Sequence, residues 1–119
     1  MKQFIIGRIK SVKYAAKGMF ILATNEHSVI SQLTAGILVT IAGFYYDLSA
    51  TEWAMQCLCI GLIVTAEGLN TAIEAICDYL QPNFDPKIGF IKDIAAGAVA
   101  FAAFFALIVA LIIYYPKIF

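Results

Sequence analysis

Residues 53–78 read "WAMQCLCIGLIVTA" (Trp53–Ala66) and then, without a break, "EGLNTAIEAICD" (Glu67–Asp78). The fold turns on whether these are one helix or two segments. The first part alone would span about 21 Å at 1.5 Å per residue, too little for a hydrocarbon layer of roughly 30 Å. Continued through Glu67 it becomes long enough to cross. The same continuation carries three carboxylates and an asparagine to the membrane boundary.

Working outward, two further runs approach or exceed the roughly 18 to 20 apolar residues that a crossing requires. They are "VISQLTAGILVTIAGFYY" (Val29–Tyr46) and "IAAGAVAFAAFFALIVALIIYY" (Ile94–Tyr115). The composition agrees: 62% of the 119 residues are hydrophobic and only 13% are charged, against about a quarter charged in a soluble globule. The expected fold is an all-α integral membrane protein of one domain (1–119). A surface helix over 1–24 precedes transmembrane helices over about 29–46, 51–78 and 92–115.

The first 20 residues are not a cleaved signal, because Lys2, Arg8, Lys10, Lys13 and Lys17 leave no uninterrupted apolar stretch. Ile5, Ile9, Val12, Ala16 and Met19 recur at spacings of three and four with the lysines on the other side. That is the pattern of an amphipathic helix lying in the membrane interface; a cytosolic helix could share it. Five of the eight basic residues thus precede the first span, Lys87 and Lys92 lie between the second and third, and the "DLSATE" connection (Asp47–Glu52) has none. The positive-inside rule then puts the N-terminus and the Asp78–Lys92 loop in the cytoplasm, with Lys117 counting weakly against it. The net charge is zero, and no nucleic-acid partner is expected.

Cys57, Cys59 and Cys77 share one helix, where bridging geometry is rare, so they read as small apolar fillers. Gly36, Gly43, Gly61, Gly68 and Gly97, with the Ala-rich "AAGAVAFAAFFA" (Ala95–Ala106), suit close helix approach.

At about 100° per residue, Glu67, Asn70, Glu74 and Asp78 fall at roughly 0°, 300°, 340° and 20°. They form one polar stripe. A carboxylate at bilayer depth costs at least about 2.5 kcal/mol, so such a stripe marks a site holding a cation, a proton or water. Solvated residues past the membrane edge would explain Glu74 and Asp78, but Glu67 and Asn70 less easily. Topology brings two more clusters to the same membrane face: "TNEHS" (Thr24–Ser28) and "IKDIAAG" (Ile91–Gly97). Carboxylates suited to Mg²⁺ would there face a lysine suited to phosphate.

"NE" at Asn25-Glu26, "EGLNTAIEAICD" and "IKDIAAGAVAFAA" together resemble the prokaryotic diacylglycerol kinase and undecaprenol kinase family of small three-span membrane lipid kinases. The likeness runs from about Lys10 to the C-terminus. It implies phosphoryl transfer from ATP, with Mg²⁺, to the hydroxyl of a membrane lipid alcohol at the cytoplasmic face of the bacterial inner membrane. It implies Glu67 as general base, Asn70 as a positioning group, and Glu26 and Glu74 as Mg²⁺ ligands. Tyr14, Glu26, Glu74, Asp78, Asn83, Phe84, Asp85, Lys92 and Asp93 would form the nucleotide site, with Glu67 and Ala96 toward the lipid. A homotrimer with sites at subunit interfaces is implied as well.

Three departures stand out. No arginine follows Glu26, where "HSVISQ" begins with His27; Gly7 stands where some relatives have a basic residue, with Arg8 beside it; and Ala96-Gly97 replace a small hydroxyl of the diacylglycerol-using branch. "NTAIE" and "KDIAAGAV" look closer to the undecaprenol-using branch, and the acceptor stays open between the two. Readings from other classes are a small cation or proton transporter subunit and a non-catalytic membrane assembly protein. The transporter is opposed by the lack of a polar route beyond Gln56, Thr65 and the cysteines on the second helix.

Overall fold

The computed structural model describes Met1–Phe119 and is entirely helical. Its elements are α1 (Lys2–Asn25), α2 (His27–Tyr45), α3 (Ala50–Leu80) and α4 (Pro86–Ile118). The three later helices are each long and apolar enough to cross a membrane. Segment 53–78 therefore lies on one continuous helix. The polar half of that segment adds three turns to a span that would otherwise stop short.

Local chemistry sets the breaks. Glu26 alone separates α1 from α2, in an extended conformation (φ −101°, ψ 111°). At the end of α2, Asp47 takes a left-handed φ of 55°, and the Leu48 amide returns to the Gly43 carbonyl at 3.2 Å. This is a Schellman-type stop in which a short Asp side chain tolerates the left-handed region. Ser49 then caps α3 through a reciprocal box with Glu52. Asp85 caps α4 by accepting from the Lys87 amide (2.8 Å), with Pro86 in the first turn, where its missing N–H costs nothing. The link between α3 and α4 is consequently only residues 81–85, not the loop reaching Lys92 that the sequence suggests. Lys87, Lys92 and Asp93 are helical, because the Asp85-Pro86 start lies ahead of the apolar run.

Helix α4 packs along α3 and α3 on α2, whereas α1 meets α2 at the Glu26 break and has no buried residue. Leu22 of α1 also approaches Gly68 of α3, where a β-carbon would lie 3.0 Å from its Cδ1. The molecule measures 50 × 48 × 22 Å. Three neighbouring helices account for one long dimension, about 50 Å for a helix the length of α4. The second requires α1 to run out sideways from the bundle.

Gly36 and Gly43 admit the side chains of Ile60 and Trp53 from α3, and Ala95 and Ala102 of α4 are buried. Gly61 and Gly97 differ from expectation: each faces open space in this chain, since they lie on the outward sides of α3 and α4. At Gly43 an added methyl would sit 2.6 Å from Trp53 Cη2, and the indole is rigid and stacked at a tilt on Phe44. Gly43→Ala is therefore expected to destabilise the bundle by about 1–3 kcal/mol, despite the helix preference for alanine. Gly61→Ala, with no neighbour, serves as the control; thermal unfolding in detergent measures both, and equal midpoints would refute the clash.

Two polar ties close the end away from Glu67. Gln56, itself buried, donates to the Val39 carbonyl (3.1 Å), and the Tyr114 hydroxyl lies between Gln56 Oε1 and the same carbonyl. A buried amide is thus paired within α2, α3 and α4, as an apolar surrounding demands. Lys117 pairs with Glu52 at 3.2 Å, tying the C-terminal end of α4 to the first turn of α3. Only 10 of 119 residues are buried, so the chain has no core able to hold it in water. Leu38, Leu58, Phe101 and Ile112 point outward, a surface for hydrocarbon or other protein.

Candidate active site

Helix α3 continues to Leu80, and this continuity puts Glu67, Asn70, Glu74 and Asp78 on successive turns of one face. The row is supported differently at each level. Glu67 is buried at 8% exposure, and its Oε1 accepts from Gln32 Nε2 of α2 at 3.5 Å. One turn on, Asn70 Nδ2 donates to Glu74 Oε1 at 3.1 Å. At the far end, Asp78 forms an ion pair with Lys92 of α4 at 2.5 Å. The row begins against α2 and ends against α4.

Asn70 contributes a second feature. Its Oδ1 is buried and has no hydrogen-bond partner. An unpaired buried acceptor costs about 1–3 kcal/mol, a cost that a donor or a hard cation reaching this oxygen would remove. The pinned amide group fixes where it points.

The remaining sequence candidates are placed less tightly. Glu26 is half-buried at the α1–α2 break, and Asp93 and Ala96 are exposed in the second and third turns of α4. Tyr14 on α1 and Phe84 in the connection are open to solvent, as is Asn83. Asp85 is occupied as the α4 cap through Oδ1. His27 is exposed at the start of α2. The cysteines are all free.

No three acid, histidine or cysteine side chains gather into a cluster of metal-holding size. The donor set nevertheless fits Mg²⁺, which takes one or two carboxylates and completes its shell with water and substrate phosphates. Glu74 beside the unpaired Asn70 oxygen offers hard oxygen ligands of that kind.

Sequence reasoning did not single out Gln32. It is a polar residue inside the first apolar run, and the cost of an unpaired amide in a membrane span was the available signal that it had a partner. Gln56 carried the same signal for Tyr114.

These features define a small all-helical protein with three helices able to cross a membrane and an acidic and amide-bearing candidate site at one end of its bundle. The family model described as prokaryotic diacylglycerol kinase matches residues 13–114. The undecaprenol kinase of Bacillus subtilis is 37% identical over 109 residues, covering 92% of this chain and 89% of that protein. The diacylglycerol kinase of Escherichia coli K12 is 28% identical over 100 residues, 84% of this chain and 82% of that protein. That of Synechocystis is 35% identical over 101 residues, 83% of this chain but 57% of the longer relative. The chain belongs to the prokaryotic diacylglycerol kinase family, a family of lipid kinases.

Proposed function

We propose that this protein is one membrane domain that uses Mg-ATP to phosphorylate a lipid alcohol at the cytoplasmic face of the bacterial inner membrane. The observation that carries the reading is Glu67: a buried carboxylate at the head of the Asn70, Glu74 and Asp78 row, held at one oxygen by Gln32. A carboxylate so placed has one oxygen engaged and one available.

In this mechanism Glu67 takes the proton from the lipid hydroxyl as that oxygen attacks the γ-phosphorus. The bond from the γ-phosphorus to the bridging oxygen breaks, and its electron pair leaves with ADP. Such transfers need positioning and charge stabilisation more than covalent help. Asn70 orients groups at the reacting centre through its fixed amide. Glu26 and Glu74 would hold Mg²⁺, which supplies charge neutralisation and a template for the phosphates. Lys92, held by Asp78, adds positive charge at the nucleotide end, where Asp93, Tyr14 and the Asn83-Phe84-Asp85 segment complete the binding surface. The α1 helix lies on the membrane with Ile5, Ile9, Val12, Ala16 and Met19 inward, and the working form is a homotrimer that covers part of the exposed apolar surface.

For the acceptor we take undecaprenol ahead of diacylglycerol. Two things support this: the greater identity to the relative named undecaprenol kinase, and Ala96-Gly97 in place of a hydroxyl side chain. Purified protein given ATP, Mg²⁺ and each alcohol in turn should show kcat/KM at least about tenfold higher for undecaprenol. The reverse order overturns the acceptor, and transfer to neither overturns the lipid kinase reading.

A further inference from the structure

Between α2, α3 and α4 runs an apolar groove of about 260 Å³, lined by residues such as Ala35, Gly36, Ile60 and Ala106. Gln32 stands at the end nearest Glu67, and Gln56 with Tyr114 at the other. Gln56 and Tyr114 satisfy one another and the Val39 carbonyl. Gln32 is otherwise engaged: its only side-chain hydrogen bond is the one it donates to Glu67. That bond is also the only one that the Glu67 side chain makes.

We propose that Gln32 is a positioning residue for the reaction: by holding Oε1 of Glu67 at the mouth of the groove, it turns Oε2 toward the acceptor hydroxyl. This rests on Glu67 being the base. A carboxylate on a long side chain samples several rotamers, and a proton acceptor misplaced by about 1 Å can cost a hundredfold in rate. A neutral amide suits the task, since it donates to a carboxylate without neutralising it as a lysine or arginine would. At 3.5 Å the contact is long for an N–H···O bond. Hydrogen bonds of catalytic groups commonly have that length before substrate arrives and tighten afterwards. The groove adds a reason for the position, because Gln32 is the point at which hydrocarbon and reacting end would meet.

The test uses the full chain in detergent with undecaprenol, ATP and Mg²⁺. Gln32→Met keeps the shape and removes the donor. Its kcat should fall roughly 10- to 100-fold, with KM for ATP unchanged, while the unfolding midpoint stays near wild type; Gln32→Leu replaces it should the Met variant fail to fold. A role in packing alone is separated by repeating the change in a Glu67→Asp background. The shortened carboxylate lies beyond the reach of the amide, so Gln32→Met should there cost less than about twofold. An unchanged kcat in Gln32→Met, or the same loss in both backgrounds, overturns the proposal. Full turnover in Glu67→Gln would instead overturn the assignment of the base on which it stands.

Discussion

Glu67→Gln is expected to lower kcat by about a thousandfold, in the middle of the 10²- to 10⁴-fold that a positioned base contributes and equivalent to about 4 kcal/mol. The substitution isolates the proton-accepting function. Glutamine has the same shape, and its carbonyl can still accept from Gln32 Nε2, so the contact between α2 and α3 is retained. What disappears is a charge that the fold has reason to avoid, since an ionised carboxylate at this depth is costly. The variant should therefore melt no lower than wild type, and a rise would show that stability is given up here for function. Mg-ATP should still raise its unfolding midpoint, because a ligand that binds the native state stabilises it by mass action. Turnover within threefold of wild type would eliminate Glu67 as the base.

The same residue shows what a sequence can and cannot convey. That Glu67 shares a face with Asn70, Glu74 and Asp78 follows from helical phase once the helix is known to continue, and α3 does continue to Leu80. The spans were legible for a similar reason: apolar length is a local property, and the membrane imposes it. Partners across helices are not local. Nothing in the spacing says that Gln32 faces Glu67, that Tyr114 reaches Gln56, or that Lys92 rather than Lys87 meets Asp78. The start of α4 escapes hydropathy, which locates the part of a helix within lipid, whereas Asp85 and Pro86 determine where the helix begins. Gly61 and Gly97 share their residue type with Gly36 and Gly43, and only the helix rotation separates the packed pair from the open one.

Glu74→Gln is expected to reduce kcat/KM for ATP by at least about a hundredfold, since even an outer-shell partner of a metal is worth 10- to 100-fold. It should also raise the Mg²⁺ concentration needed for half-maximal rate. Glu74 is exposed and its Oε1 accepts from Asn70 Nδ2, so it serves both as a charge and as an anchor for Asn70. Glutamine separates the two, because its amide oxygen can still accept from Asn70 while the negative charge is gone. Glu74→Ala removes both and also leaves the Asn70 amide without its partner. If the anchor alone matters, Glu74→Gln will behave as wild type and Glu74→Ala will lose rate at every Mg²⁺ concentration. If the charge holds the cation, both variants lose rate, and excess Mg²⁺ restores part of it in Glu74→Gln, where Asn70 is still in place. The Mg²⁺ titration of the glutamine variant thus decides between them, and a curve that superimposes on wild type would remove Glu74 from the metal site.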